Sequence, residues 1–215
     1  SFVRSTLENY QSCKATIHVI PFGSPPPIVC TTRRDDARPK SPLRILYVGS
    51  LGQRKGLSYC LDAVESLGKS VVLTLIGRPT TNNCEPLNRA LDQHNWIETL
   101  PHSQILDQMR KHDVLLFPTL FDGFGLVITE ALSQGLPVIT TMNSGGPECI
   151  RNGVEGFIVP IRSSEAIAER LNQLANNRDQ LSAMREACLR RAIVLSWSRY
   201  KERLIDVVNN MLSDS

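Results

Sequence analysis

Arg44-Ile45-Leu46-Tyr47-Val48-Gly49 is a short apolar run that ends in glycine, and Val71-Val72-Leu73-Thr74-Leu75-Ile76-Gly77 repeats the same form. Four more runs of this kind follow along the chain, at residues 96–100, 113–118, 137–141 and 156–160. Continuous apolar runs rich in β-branched residues are typical of strands that are buried on both faces of a parallel sheet. The sequence therefore predicts about six such strands.

Helical patterns separate these runs. Apolar residues recur at helical spacing between Leu57 and Leu67, and Gly68 is a suitable C-terminal stop. Further helices are predicted from a cap at Ser103 to about His112, from a cap at Ser163 or Ser164 through Leu174, over 178–192, and from Tyr200 to Met211. Alternating strands and helices predict an α/β fold, with a Rossmann-like doubly wound parallel sheet flanked by helices.

The composition excludes several classes of protein. The 215 residues are 41% hydrophobic and 21% charged, which rules out general disorder. A net charge of +3 is too small to indicate a nucleic-acid partner, and no apolar run approaches the roughly 18 residues that span a bilayer. The cysteines form no C-x-x-C pair and the histidines no ligand pattern. We therefore expect buried reduced thiols, no metal site and a cytoplasmic protein.

The loops beyond the carboxyl ends of the strands are the candidate site, because ligands of doubly wound sheets bind there. The first is Gly49-Ser50-Leu51-Gly52-Gln53-Arg54-Lys55-Gly56, which follows a strand and begins a helix. This loop suits an anionic ligand such as a phosphate, because the first N–H groups of the helix favour negative charge. It also carries two cations, Arg54 and Lys55, with no acidic run beside them. Leu51 excludes a G-x-G dinucleotide fingerprint, and Lys55 precedes its glycine, unlike the lysine of a P-loop. The alternative is a solvated basic helix start.

The second loop is Phe121-Asp122-Gly123-Phe124-Gly125, and the helix after it carries Glu130. Gly123 and Gly125 allow the backbone to approach a ligand closely. Asp122 and Glu130 can face one crevice, where carboxylates commonly accept hydrogen bonds from sugar or ribose hydroxyls. An acid–base pair and two ordinary surface carboxylates remain as alternatives. A third loop of small residues, 141–148, allows a similarly close approach.

These motifs follow one another in a specific order. The chain reads V-G-x-x-x-x-x-K-G from Val48, P-x-x-x-D-G-F-G-L-V-x-x-E-A from Pro118, G-x-P-V-I-T-T from Gly135 and G-G-x-E from Gly145. This order resembles the C-terminal half of the group 1 (family four) retaining glycosyltransferases of the GT-B fold, over about residues 14–212. Two positions depart from that pattern: Asp122 stands where glutamate is usual, and Gly77-Arg78-Pro79 replaces Gly-x-Gly-Pro.

The resemblance implies a site for a nucleotide-diphosphate sugar, the donor. Arg54 and Lys55 would hold its diphosphate, Glu130 its ribose hydroxyls, and Asp122, with backbone groups near it, the sugar and β-phosphate. The residues implied to contact the donor besides these four are Gly49, Gly52, Arg78, Pro101, Gly123, Phe124, Gly125, Leu126 and Val127. The loop after Ile76 and the segment near Leu100-Pro101-His102 would flank the base. His102, at the end of that segment, is itself interpreted only as the start of a helix.

The resemblance also implies a division of the chain. Residues 21–42 contain six of the thirteen prolines, which is typical of an extended linker. The implied parts are the end of an N-terminal domain with the linker (1–41), a nucleotide-sugar-binding domain (42–195) and a helix that returns to the N-terminal domain (196–215). On this interpretation the N-terminal domain is missing, and the chain binds the donor but transfers no sugar alone. It also exposes an apolar patch near Trp197 and Tyr200.

The expected activity is transfer of a sugar to an unidentified glycan, lipid or small-molecule acceptor, with retention of anomeric configuration, as in polysaccharide biosynthesis. No cofactor or metal is expected, because Arg54, Lys55 and a helix N-terminus can stabilise the leaving diphosphate. For the full-length enzyme we expect a cytoplasmic location, with peripheral association at the inner face of the membrane. The alternatives are a sugar-nucleotide epimerase of the same architecture, a nicotinamide oxidoreductase, which the absent G-x-G-x-x-G disfavours, and a non-catalytic nucleotide-binding module.

Overall fold

The computed structural model describes residues 2–9, 16–28, 41–81 and 83–213. Its strands form one sheet in which all neighbouring strands run parallel, in the order β3-β2-β1-β4-β5-β6. The strands are β1 (Leu43–Val48), β2 (Val71–Ile76), β3 (Asn95–Ile97), β4 (Val114–Phe117), β5 (Val138–Thr141) and β6 (Gly156–Val159). The predicted doubly wound parallel sheet is confirmed.

Helices connect the strands and cover both faces of the sheet. They are α1 (Phe2–Glu8), α2 (Leu57–Leu67), α3 (Glu85–Gln93), α4 (His102–Lys111), α5 (Leu126–Ser133), α6 (Gly146–Cys149), α7 (Ser164–Asn176), α8 (Arg178–Val194) and α9 (Trp197–Ser213). Short 3₁₀ turns, Gln53–Lys55 and Gly68–Ser70, lie on either side of α2. None of the helices in the described ranges is long and apolar enough to cross a membrane.

The core consists of two apolar clusters, one on each face of the sheet. Alternate side chains of β1 enter different clusters: Ile45 and Tyr47 pack with α2 and α7, whereas Leu46 packs with α4 and α5. This follows from the two-residue period of a strand. Helix α8 contributes to both clusters, so it closes the sheet at the end of the domain.

Several helix boundaries test the sequence interpretation. Gly68 follows the last residue of α2 with φ +52°, a backbone conformation that glycine adopts most readily. Of the two candidate caps of α7, Ser163 is correct, because its Oγ accepts a hydrogen bond from the N–H of Ala166 at 3.1 Å. The predicted cap at Ser103 is wrong, whereas the interpretation of His102 as the start of a helix is confirmed: α4 begins at His102, with Pro101 at the N-cap position. Helix α9 begins three residues before Tyr200.

The proline-rich segment is attached to the domain over residues 21–28, its described part before the segment 29–40. Ser24 donates its N–H to the carbonyl of Leu195 at 2.6 Å and its hydroxyl to that of Thr129 at 2.9 Å. Ile28 donates to the carbonyl of Ser133 at 3.0 Å, so this part of the segment follows α5. The predicted linker residues 29–40 lie outside the described residues, and the division of the chain at residue 41 stays a prediction.

The last helix is exposed along its whole length. No residue of α9 is buried, and Trp197 keeps 46% of its surface accessible although its ring contacts those of Phe22 and Tyr200. Leu204, Ile205, Val208, Met211 and Leu212 are exposed as well. The chain therefore has the apolar surface expected near Trp197 and Tyr200.

The free thiols that are buried are those of Cys60, Cys149 and Cys188, whereas Cys13 and Cys30 fall outside the described residues.

Candidate functional site

The crevice between β1 and β4 is where the two halves of the sheet diverge. These strands are neighbours, but α2 follows β1 onto one face and α5 follows β4 onto the other. The loops 49–56 and 118–125 therefore flank an opening at the carboxyl ends of the strands, the usual ligand position in such sheets. The first and second loops predicted from the sequence meet there.

Hydrogen bonds join the two loops. The carbonyl of Arg54 accepts bonds from the N–H of Leu120 at 2.9 Å and the hydroxyl of Thr119 at 3.1 Å. The guanidinium of Arg54 donates in return to the carbonyl of Phe121 at 3.1 Å. The buried hydroxyl of Tyr47, a residue of β1, donates to the carbonyl of Ser50 in the first loop at 3.1 Å. Arg54 is thus part of the framework of the crevice as well as a cation beside it.

Gly56 permits this close approach. It has φ +72°, and an added Cβ would lie 2.0 Å from the carbonyl oxygen of Pro118. We expect Gly56→Ala to lower the free energy of unfolding by about 2–4 kcal/mol, because backbone strain adds to a clash with backbone atoms. Gly153→Ala is the control: its φ is +83°, but its Cβ would meet nothing within 4 Å. Denaturant unfolding that gives the same loss for both variants would contradict this account.

Lys55 lies in the crevice and forms an ion pair with Asp122. The two side chains are only 14% and 16% exposed, and the ammonium stands 4.9 Å from the centre of the Phe117 ring. The expectation that no acidic group neutralises this cation is therefore wrong, since Asp122 follows it by 67 positions in sequence. A ligand phosphate that binds Lys55 must share the ammonium with this carboxylate or displace it.

Close packing fixes the loop that carries Asp122. Gly125 has φ +86°, and its Cβ would lie 2.7 Å from the Phe117 ring, so a side chain is excluded there. The N–H of Gly145 donates to the carbonyl of Phe124 at 2.6 Å, which holds the third loop against the second. Gly123 differs, because its Cβ would meet no atom within 4 Å. Gly123 and Phe124 border a cavity of about 230 Å³ that also contacts α1 and the 17–22 segment.

Helix α5 begins at this loop and points its N-terminus at the crevice. The first N–H groups of a helix, here those of Leu126 and Val127, have no partner within the helix and favour negative charge. Leu126 is 46% exposed. Backbone donors, the Lys55 ammonium and the Asp122 carboxylate are thus gathered around one opening.

Glu130 lies one turn further along α5 and pairs with His102. The Nε2 atom of His102 stands 3.0 Å from Oε1 of Glu130, and the two side chains are 61% and 20% exposed. Sequence reasoning missed this partner, because His102 was interpreted only as the start of a helix. Its place at the first position of α4, next to a predicted base-flanking segment, was the available signal.

The remaining predicted residues lie in the loops that follow β1, β2 and β3. Gly52 packs against Thr80, whose Oγ1 would be 2.5 Å from an added Cβ, so this glycine has a structural role. Gly49 adopts φ +144° with open space around its Cβ position. Arg78 is 71% exposed and lies 3.4 Å from Glu98. Pro101 occupies the N-cap position of α4.

Metal ligands are not clustered in the part of the chain that the structure describes. No group of three or more histidine, cysteine, aspartate or glutamate side chains there could hold a metal ion. The ion pairs described at the crevice are Lys55–Asp122 and His102–Glu130.

Curated relatives share large parts of the sequence. The D-inositol 3-phosphate glycosyltransferase of Corynebacterium urealyticum is 26% identical over 97% of this chain and 54% of its own length. The capsular polysaccharide biosynthesis glycosyltransferase CapM of Staphylococcus aureus is 34% identical over 61% of this chain and 36% of its own. The sucrose synthase of Acidithiobacillus caldus is 34% identical over 54% of this chain and 16% of its own. The chain thus spans about half or less of the length of these relatives.

Solved structures share the fold. Sucrose-phosphate synthase from Thermosynechococcus elongatus superposes with a TM-score of 0.81 at 20% identity, over 100% of this chain and 57% of the other. The pneumococcal O-GlcNAc transferase GtfA, in complex with UDP and GlcNAc, gives a TM-score of 0.74 at 22% identity, over 98% of this chain and 43% of the other.

The family assignment comes from a match over most of the sequence. The family model described as "Glycosyl transferases group 1" matches residues 31–191, about three quarters of the chain. This range includes β1 to β6 and every side chain named in the crevice. The chain belongs to the group 1 glycosyl transferases.

Proposed function

We propose that the chain binds the nucleotide-diphosphate sugar donor of a retaining group 1 glycosyltransferase of family four, as the C-terminal half of a GT-B enzyme. One observation carries the proposal: Lys55, Asp122 and the N-terminus of α5 converge on the crevice between β1 and β4. The solved complexes of related fold support the ligand class, since one neighbour, HepE of Anabaena, is solved both with UDP and with UDP-glucose.

The proposed roles follow the order of the groups along the crevice. Arg54 and Lys55 bind the diphosphate, helped by the N–H groups at the start of α5. Asp122 accepts hydrogen bonds from the donor sugar, and the backbone N–H groups between Gly123 and Val127 bind the β-phosphate. Glu130 accepts hydrogen bonds from the ribose hydroxyls. The residues proposed to lie beside the base and its ribose are Gly49, Gly52, Arg78 and Pro101.

The chemical contribution of these residues is electrostatic. Negative charge develops on the leaving diphosphate as the bond to the anomeric carbon breaks, and fixed cations and helix N–H groups stabilise that charge. The partial burial of Lys55 strengthens its interaction, because the surrounding protein screens charge less than water does. The names of the relatives, which include capsular polysaccharide biosynthesis, support an acceptor in polysaccharide synthesis for the whole enzyme.

Calorimetric titration tests the proposal. The 215-residue chain is titrated with UDP, GDP, ADP, their glucose conjugates and NAD. We expect at least one nucleoside diphosphate to bind, and the same titration of Lys69→Met to be unchanged, because Lys69 is exposed in the turn after α2. Binding of NAD alone would point to an oxidoreductase, and binding of none of these ligands would refute the proposal.

Metal independence is a separate prediction. Because Arg54, Lys55 and the α5 N-terminus can supply positive charge to the diphosphate, affinity for the preferred nucleotide should change by less than about twofold when excess EDTA replaces magnesium. Titrations with manganese, magnesium and EDTA measure this directly. A strict requirement for either metal would show that these protein groups are insufficient.

A further inference from the structure

The pair formed by His102 and Glu130 joins two helices at the rim of the crevice. His102 is the first residue of α4, where the preceding Pro101 has φ −56°, and Glu130 lies in the second turn of α5. Because an ionised carboxylate only accepts hydrogen bonds, Nε2 of His102 must carry the proton in their 3.0 Å contact. The histidine is therefore the donor, whether its ring is neutral or charged.

We propose that His102 is a positioning residue for Glu130, which it holds so that the carboxylate meets the vicinal hydroxyls of the ligand's ribose. The inference rests on the proposed function, because it takes the ligand to be a nucleoside diphosphate. Glu130 has three rotatable side-chain bonds, and fixing them before the ligand arrives lowers the entropy lost on binding. The hydrogen bond from His102 goes to Oε1. In the proposed arrangement Oε2 accepts the hydrogen bonds from the ribose.

The surroundings of the pair indicate that it does not serve mainly to hold the fold together. The ring of His102 is 61% exposed, and exposed ion pairs contribute little to stability. The α4–α5 contact is already packed by apolar side chains, among them Ile105 and Leu106. The nearest cation further along α4, Arg110, bonds Gln134 at 2.6 Å and also pairs with Asp107. His102 is thus the side chain that orients Glu130 among the described residues.

The test compares ribose with deoxyribose. The nucleoside diphosphate that binds most tightly to the 215-residue chain is titrated beside its 2′-deoxy and 3′-deoxy forms. His102→Ala should weaken binding of the ribose form by about three- to tenfold, the size of one ordinary hydrogen bond, because the variant loses the positioning of Glu130 and keeps its carboxylate, and should weaken binding of at least one deoxy form by less than twofold. His102→Gln, whose amide can donate to the same oxygen, should restore most of the affinity. Ser103→Ala, at the neighbouring exposed position, is the matched control.

A double-mutant cycle completes the experiment. In a Glu130→Gln background, His102→Ala should cause no further loss, because the two residues act through one contact. An equal loss for ribose and both deoxy forms would overturn the inference, since His102 would then contact another part of the ligand. Unchanged affinity in His102→Ala would overturn it as well. If the unmodified chain binds no nucleoside diphosphate, the proposed function itself fails and this inference with it.

Discussion

Replacing Lys55 with methionine is expected to weaken binding of the preferred nucleoside diphosphate by roughly a hundredfold. A charge-assisted hydrogen bond contributes about 1.5–3 kcal/mol, which corresponds to about 10- to 150-fold in affinity. The loss should be near the upper end, because the variant leaves Asp122, only 16% exposed, facing the phosphate without its cation. Calorimetric titration of the variant and the unmodified chain measures the ratio.

Two companion variants separate the causes of this loss. Asp122→Asn added to Lys55→Met should recover part of the affinity, because it removes the repelling carboxylate. Arg54→Met should lose less than Lys55→Met, since the Arg54 guanidinium already donates to the carbonyl of Phe121. Lys69→Met controls for the general loss of a positive charge. Equal affinity of Lys55→Met and the unmodified chain would remove Lys55 from the site.

The strands were predictable because their sequence signal is local. In β1 and β2 a continuous apolar run reflects burial on both faces and ends at Gly49 or Gly77, so pattern and structure coincide. The signal weakens at the edge of the sheet. There β3 covers only Asn95–Ile97 and is partly exposed, whereas the apolar run predicted a strand at 96–100. An edge strand lacks the two-sided burial that produces the pattern.

Helix α3 was not predicted, because its sequence carries few apolar residues. Only Leu87 and Ala90 of this nine-residue helix are buried, and the rest of it faces solvent or lies at the boundary. Proline is unfavourable inside a helix, but Pro86 lies at the start of α3, where it is favourable because the first N–H groups need no partner within the helix.

The candidate site was predictable as loops but not as contacts. The glycines and charges of each loop are local in sequence, and the doubly wound fold places such loops at one edge. The contacts depend on strand order, which brings the loop after β1 beside the loop after β4. Lys55 therefore meets Asp122 across 67 positions, and His102 meets Glu130 across 28. No local pattern contains either pair.

Replacing Asp113 with alanine is expected to lower the free energy of unfolding by about 3–5 kcal/mol, and the melting temperature by roughly 10 °C. Asp113 is 4% exposed at the amino end of the sheet, far from the crevice in the topology. Its carboxylate accepts bonds from Arg44 Nη2 at 2.8 Å, from the backbone N–H of Arg44 at 2.8 Å and from Arg185 Nη2 at 2.6 Å. The variant leaves these cations, from β1 and α8, without the carboxylate that joins them.

The stabilisation by Asp113 should depend on pH in a definite direction. Burial alone would raise the pKa of Asp113, but the hydrogen bonds from Arg44 and the charges of Arg185 and Arg44 outweigh it and hold the pKa below its ordinary value. Stability from this carboxylate is therefore complete above about pH 4 and decreases as the pH falls through the lowered pKa. The difference in unfolding free energy between the unmodified chain and Asp113→Ala should therefore become smaller as the pH falls below about 4. The control is Asp62→Ala, which replaces an exposed aspartate on α2; its unfolding free energy should stay within about 0.5 kcal/mol of that of the unmodified chain at every pH.

Nucleotide affinity should be unchanged in Asp113→Ala below its melting temperature, because the crevice lies at the opposite ends of the strands. A variant as stable as the unmodified chain at pH 7 would mean that the buried ion cluster contributes nothing net to the fold.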